Sequence, residues 1–266
     1  MLIDTHCHLD AAEFDADRAA VVDAARAAGV GGLLVPAVEA ANFAKVADLA
    51  ARLSECRYAL GIHPMYVAAA RESDLELLRD GLARGGAVAV GEIGLDGFIP
   101  DGDLPRQTAF FIAQLKLARE FDLPVVLHVR RAQDAVLKCL RQIRVRGGIA
   151  HAFNGSRQQA EAFIKLGFKL GFGGAMTYTG SRRIRELAAS LPLSSIVLET
   201  DAPDIPPAWC VGGRNEPANL ARFAQELATL RGIDVDALIA VTGDNAVKAV
   251  PGLAELPGFR PVEQVS

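Results

Sequence analysis

Short continuous apolar runs alternate along this chain with stretches whose apolar residues fall three and four apart. The runs at 2–9, 30–37, 58–63, 87–92, 124–129, 148–153, 168–173 and 196–201 read as strands. Helical spacing follows each of them. In 15–28, Phe14, Val21, Val22 and Ala25 share a face, and Gly29 stands where a C′ glycine ends a helix. An alanine-rich helix is expected over 39–53, and one over 73–84 with Ser73 as cap and Glu76 three residues on. The stretch 105–121 has Pro105 in its first turn and Phe111, Leu115 and Ala118 on one stripe. Further helices are expected over 132–145, 156–166 (capped by Ser156), 181–191, 217–230 and 236–249.

Strands that are apolar throughout are buried on both faces, which implies a parallel sheet. Eight βα units in 266 residues predict an α/β fold, a single-domain (β/α)8 TIM barrel over residues 1–266. The alternative is an open doubly wound sheet. No linker, low-complexity tract or repeat beyond the βα unit interrupts the pattern.

Composition narrows the function. Hydrophobic residues are 51% and charged ones 23%, enough for a large core and too apolar for disorder. A net charge of −4 excludes a generally basic nucleic-acid-binding surface but leaves room for a local patch. The four cysteines, Cys7, Cys56, Cys139 and Cys210, show no CxxC spacing, so a zinc knuckle or redox pair has no support. No apolar run approaches the roughly 18 residues of a membrane span, and no charged leader precedes the first strand. The expectation is a cytoplasmic protein with reduced thiols, not membrane-bound, and a monomer.

The ionisable residues then change the picture. All five histidines fall at or near strand ends: His6 and His8 in the first strand, His63 in the third, His128 in the fifth, His151 in the sixth. Glu92 ends the fourth strand and Asp201 the eighth. Barrel enzymes place their chemistry at the carboxyl ends of the strands, so these side chains are expected at one mouth. His6 and His8 alternate with Cys7, so both imidazoles face one way, with Cα atoms about 7 Å apart. His6, His8, Glu92, His128, His151 and Asp201 outnumber the ligands of one catalytic zinc. Two metals sharing Glu92 use them economically, since the fourth strand lies midway among the ligand strands. Zinc, manganese or iron suits such donors, and magnesium where oxygen dominates. His63 fits a role in holding substrate or water better than direct ligation. Asp4 and Glu199 lie two residues before His6 and Asp201, on the same faces but deeper, as partners for the ligands or as ordinary buried acids.

These residues resemble the TatD family of metal-dependent hydrolases. The resemblance rests on Asp4-Thr5-His6-Cys7-His8-Leu9-Asp10, Gly61-Ile62-His63-Pro64, Gly91-Glu92-Ile93-Gly94-Leu95-Asp96, Leu123-Pro124-Val125-Val126-Leu127-His128-Val129-Arg130, Glu199-Thr200-Asp201-Ala202-Pro203 and Arg214-Asn215-Glu216-Pro217. It implies a two-divalent-metal site and, in the best-known members, deoxyribonuclease activity, possibly exonucleolytic. By the resemblance His6, His8, Glu92, His128, His151 and Asp201 are the ligands, with Glu92 bridging. His6 and His8 then share one metal with Glu92 and Asp201, and His128 and His151 hold the other. His63 matches an active-site histidine outside the main ligand set. Catalysis falls to Asp201, Glu92 and His63. Gly97-Phe98 replaces the family's usual aromatic pair, the loop Ile99-Pro100-Asp101-Gly102-Asp103 departs from the common form, and Asn154 stands where serine is usual. These departures bear on substrate choice more than on metal binding.

The expected partner is DNA or another phosphodiester. Arg130, Arg131, Arg157, Arg182, Arg183 and Arg214 fall in loops of the active face, and guanidinium forks match phosphate. Tyr66, Phe98, Phe153, Tyr178 and Trp209 fall there too, either to stack bases or to pack the mouth. Two further readings remain: a metal-dependent amide or ester hydrolase, and a metal-binding barrel that acts through partners.

Overall fold

Eight parallel strands lie side by side in chain order in the computed structural model, which describes residues 1–100 and 102–261. They are β1 (Leu2–Asp4), β2 (Val30–Pro36), β3 (Cys56–Leu60), β4 (Ala89–Asp96), β5 (Val125–Arg130), β6 (Gly148–Ala150), β7 (Phe168–Phe172) and β8 (Ile196–Leu198). The helices between and after them are α1 (Arg18–Ala27), α2 (Phe43–Arg52), α3 (Glu72–Ala83), α4 (Leu104–Glu120), α5 (Gln133–Gln142), α6 (Arg157–Lys165), α7 (Arg182–Ser190), α8 (Leu220–Arg231) and α9 (Val235–Ala249). β8 meets β1 through single hydrogen bonds rather than a ladder. Thr5 N–H donates to Leu198 O (3.1 Å), Asp201 N–H to His6 O (2.8 Å) and His8 N–H to Ala202 O (2.8 Å). The result is the nearly closed, single-domain barrel that the eight βα units predict. Of the expected domain span, residues 101 and 262–266 lie outside the described residues.

Two apolar layers hold it. Inside the barrel, Ile3, Leu34, Ala59, Ala89, Val126, Ile149 and Val197 each come from a different strand, and all are buried. Ala246, Ala249, Val250, Leu253 and Leu256, from α9 and the turn after it, join the same cluster and plug one end. A larger layer between the strands and the helices contains the stripes read from sequence, including Phe14, Val21, Val22, Ala25, Phe111, Leu115 and Ala118. Each such valine, leucine or phenylalanine contributes about 1.5–3 kcal/mol on burial.

Element ends differ from the sequence pattern where side-chain hydrogen bonds decide them. α3 starts at Glu72, not at a Ser73 cap, because Asp74 Oδ2 accepts the Arg71 N–H at 2.8 Å. α1 begins at Arg18, after a separate 3-10 turn at Ala12–Phe14. Ser156 does cap α6, accepting the Gln159 N–H at 3.1 Å, and Gly29 takes φ +86° after α1. Strands β1, β6 and β8 are shorter than their apolar runs, while β4 runs four residues further, to Asp96. Three non-glycine residues just past strand ends sit at positive φ: Arg131 (51°), Ala152 (43°) and Asp201 (60°). Such a conformation costs about 1–3 kcal/mol at each, and it concentrates at the open end of the barrel.

Candidate metal centre

The chain bends at Thr5, just past β1, and Cys7 then bridges Ala202. Thr5 and His8 N–H donate toward the β8 side and Cys7 N–H to Leu34 O at 3.1 Å. Cys7 is buried on one side, and His6 and His8 project on the other, with Nε2 atoms 3.2 Å apart. Across the closure, Asp201 offers Oδ1 to His6 Nε2 at 3.5 Å and to His8 Nε2 at 3.6 Å.

Glu92 stands at the centre. The pairing register of β4 with β5 shifts between Val90 and Ile93, which sets Glu92 at an irregular point of the strand. Its two oxygens divide the imidazoles. Oε2 faces His6 Nε2 (3.1 Å) and His8 Nε2 (3.4 Å). Oε1 faces His128 Nδ1 (3.0 Å), His151 Nε2 (3.0 Å) and His63 Nε2 (3.3 Å). All seven residues read from the sequence as site residues thus meet at one mouth.

The outer nitrogens say what each ring can do. His63 Nδ1 accepts the Met65 N–H at 3.1 Å, so its neutral ring carries the proton on Nε2 and donates toward Glu92 rather than offering a lone pair. His128 Nε2 lies 3.1 Å from Asp96 Oδ2, which leaves Nδ1 free to ligate. Asp4 is buried and holds backbone rather than a ligand ring: Oδ1 accepts from Thr200 N (2.9 Å) and His6 N (3.3 Å), and Oδ2 from Thr200 Oγ1 (2.6 Å). Glu199 lies 3.7 Å from His151 Nδ1 and accepts the Ala152 N–H. Its carboxylate fills the space above Gly171, where a Cβ would come within 2.0 Å of it.

Electrostatics favour a cation here. Burial disfavours the Glu92 carboxylate, but His63, His151 and His6 around it outweigh that and hold it well below the usual range. Burial likewise works against protonated His151 and His8. Glu92 and Asp201 reverse the balance, lifting His151 to about 10 and His8 to about 9. Burial, helped by the neighbouring His151, wins at His6, which falls well below the ordinary value. Protons thus gather where carboxylates converge, and a divalent cation would displace them. Ligand atoms of His6, His8 and Asp201 lie within 4.8 Å of one another, as do those of His6, Glu92 and His151 and those of His63, Glu92 and His128. Nitrogen and carboxylate oxygen at such spacing fit a divalent ion of the zinc or manganese kind.

A family model described as TatD related DNase matches residues 3–250. The chain belongs to the TatD family. It is similar to the uncharacterized metal-dependent hydrolase YjjV of Escherichia coli K12, 46% identical over 232 residues, or 86% of this chain and 90% of that protein. The crystal structure of the TatD homologue YjjV matches with a TM-score of 0.91 and 42% identity, covering 94% of this chain and 98% of that one. The 3′-5′ ssDNA/RNA exonuclease TatD of a Rahnella strain is 34% identical over 252 residues, 91% of this chain and 95% of its own. The protein is therefore a metal-dependent hydrolase of TatD type.

Two residues of the TatD site carry no role in the sequence reading. Asp96 lies four positions after Glu92 on the same strand face, and the only obstacle was a strand thought to end at 92. Asn215 is buried and ties down the loop after β8. Its Nδ2 donates to Thr200 O (2.8 Å), Asp204 O (2.9 Å) and Ile205 O (3.2 Å). No periodicity marks it, because its partners are carbonyls far away in sequence.

Several mouth arginines are engaged elsewhere. Arg214 donates to Asp17 and Glu216 at 2.7 Å and lies over Phe14. Arg157 reaches Ser190 and Glu161, and Arg183 reaches Asn154 at 2.6 Å. Phe153 is buried, Tyr178 donates to Pro206 O, and Trp209 donates to Asn219 Oδ1. These belong to packing. Asp103, from the unusual loop, caps α4 through the Arg106 N–H at 2.9 Å, while Asp101 lies outside the described residues. All four cysteines are free, and no helix among the described residues is long and apolar enough to cross a membrane.

Proposed function

We propose that this protein is a phosphodiesterase acting on DNA, using two divalent ions shared across Glu92. One observation carries the reading: the two oxygens of a single buried carboxylate face two separate sets of imidazoles. His6, His8 and Asp201 are the ligands on one side, His128 and His151 on the other. Divalent ions held there supply Lewis acidity to a phosphoryl oxygen and make water acidic enough to attack at neutral pH.

The chain's own residues do the rest. The side chain of Glu92 is 2% exposed and that of His6 0%, whereas Asp201 is 13%, His8 16% and His128 15%. Substrate therefore meets Asp201, His8 and the edge of His128, while His6 and Glu92 stand behind them. Asp201 orients the attacking water and takes its proton. His63 donates from Nε2 and fixes the Glu92 oxygen it faces. The named exonuclease among the relatives supports a nucleic-acid substrate, and the free thiols suit a reducing, cytoplasmic setting.

The test is hydrolysis by protein loaded with zinc, manganese or magnesium. Single-stranded DNA, duplex DNA and bis(p-nitrophenyl) phosphate are compared with a panel of amides and carboxylic esters. The expected result is phosphodiester cleavage that Asp201→Asn abolishes. Amide or ester hydrolysis without phosphodiester cleavage would sink the reading.

A further inference from the structure

Three of the mouth arginines, Arg130, Arg131 and Arg182, have no side-chain hydrogen bond among the described residues, and the first two share one aromatic ring. Arg130 ends β5 and Arg131 follows it. Their guanidinium carbons lie 3.9 Å and 4.4 Å from the centroid of the same ring, Phe98. Among the described residues Arg130 comes no nearer to a carboxylate than 4.0 Å, at Asp96 Oδ2, and Arg131 makes no ion pair. Stacking occupies the face of a guanidinium and leaves its in-plane donors pointing outward. Arg106 and Arg231 show the contrast, each donating to two backbone carbonyls.

The cluster is built, not incidental. Asp96 Oδ1 accepts the Phe98 N–H at 2.7 Å, and Gly97 N–H donates to Arg130 O at 2.8 Å. A Cβ on Gly97 would meet Arg131 O at 2.8 Å, so only glycine lets the two loops approach this closely. Asp96 Oδ2 faces His128, which joins the stack to the metal centre. Arg131 holds φ at 51°, a conformation that suits glycine, yet it presents a long cation there. α5 begins two residues later, at Gln133, and has no side-chain cap. Asp134, in that first turn, is engaged by Gln159 Nε2 at 3.0 Å.

We propose that Arg130 and Arg131, presented over Phe98, form the subsite for a substrate phosphate adjacent to the one that is cleaved. This rests on the phosphodiester reading of the metal centre and adds to it where the neighbouring part of the strand is gripped. Planar forks that need two acceptor oxygens each match a phosphate better than a carboxamide or a sugar.

The experiment is binding of a 5′-fluorescein hexathymidylate to the full chain in EDTA, read by anisotropy, so that no turnover is needed. Arg131→Gly is the decisive variant, because glycine relieves the backbone while removing the fork. Its melting temperature should equal or exceed that of wild type. Its Kd should rise about ten-fold, and the log–log salt slope should fall by about 0.7. Arg130→Gln should show a similar loss. Making one internal phosphate a neutral methylphosphonate should weaken wild type by the same factor and leave Arg131→Gly unaffected at that position. The proposal is overturned if wild type does not bind, if Arg131→Gly binds within two-fold of it, or if Arg84→Gln, an exposed residue at the end of α3, weakens binding equally. Hydrolysis of bis(p-nitrophenyl) phosphate by metal-loaded wild type is read separately. Its absence beside arginine-dependent binding would sink the proposed chemistry and keep the subsite. Its presence beside arginine-independent binding would do the reverse.

Discussion

Asn215→Ala perturbs the centre without touching it. The amide of Asn215 is fully buried and donates to three carbonyls of the loop after β8, while its Oδ1 accepts from Glu216 N and Asn219 Nδ2, both at 2.9 Å. Thr200, whose carbonyl is one of the three, is buried, and leaving such a group unpaired costs about 1–3 kcal/mol. The carbonyls of Asp204 and Ile205 lie nearer the surface and can turn to water, so losing them costs about 0.5–1.5 kcal/mol each. About 3–4 kcal/mol in all is a large share of the 5–15 kcal/mol that typically holds a domain together. At about 2–4 °C per kcal/mol for a chain of this size, the melting temperature should fall by roughly 10 °C. Asn215→Asp sharpens the test, because it keeps the shape and turns a donor into an acceptor facing three carbonyls. It should be less stable than the alanine variant at pH 7. Thermal unfolding followed by circular dichroism measures both. Either variant melting within about 3 °C of wild type, or the aspartate outlasting the alanine, would refute the assignment of Asn215 as the clamp.

Other outcomes follow from the same geometry. Glu92→Ala should lower bound metal per chain in elemental analysis and remove most of the thermal stabilisation that EDTA reverses in wild type; unchanged stoichiometry counts against a bridging role. Asp201→Asn, assayed at saturating metal, should lower kcat at least about a hundred-fold while melting temperature stays near wild type, and a rate within ten-fold would assign the proton to another group. Burial lifts the Asp4 carboxyl from 3.8 to about 7, so between those values the folded chain keeps a proton that the unfolded chain has lost. The metal-free protein should therefore lose stability as pH rises through that window, and Asp4→Asn should flatten the urea-unfolding profile between pH 5 and 8; an equally steep variant would show that another group sets the slope.

The barrel was legible because its strands are apolar on both faces, and that pattern needs no tertiary knowledge. The six expected ligands and His63 were legible for the opposite reason: each is a polar residue where an apolar strand should simply end. Boundaries were harder. β4 runs on to Asp96 by pairing with β5 as far as Arg130, and Gln107 of α4 accepts the Asp96 N–H at 2.9 Å, contacts that no local pattern announces. The start of α3 just after Arg71, fixed by Asp74 accepting the Arg71 N–H, competes in sequence with a cap at Ser73. Arginine roles were the least legible, since Arg214 and Arg131 look alike in sequence. One is held by Asp17 and Glu216, the other, among the described residues, by a ring alone, and only the folded geometry tells them apart.

The two ends of the barrel follow opposite physical rules. One is closed by apolar side chains from α9 and the following turn, where many contacts share the load and losing one leaves the rest standing. The other end cannot be closed that way, because its side chains must stay polar and reachable. It is held instead by a few buried acceptors and donors, Asp4 between His6 and Thr200, Glu199 on Ala152, and Asn215 on the loop beyond. Each of these acts on backbone, and they lie beside the positions held at positive φ: Ala152 is bonded directly, and Thr200 precedes Asp201. Strain persists only where surrounding structure over-determines it. The deep carboxylates are thus explained by the backbone they restrain as much as by the histidines they approach, and this distinguishes Asp4 from Asp201, whose Oδ1 faces His6 and His8 directly.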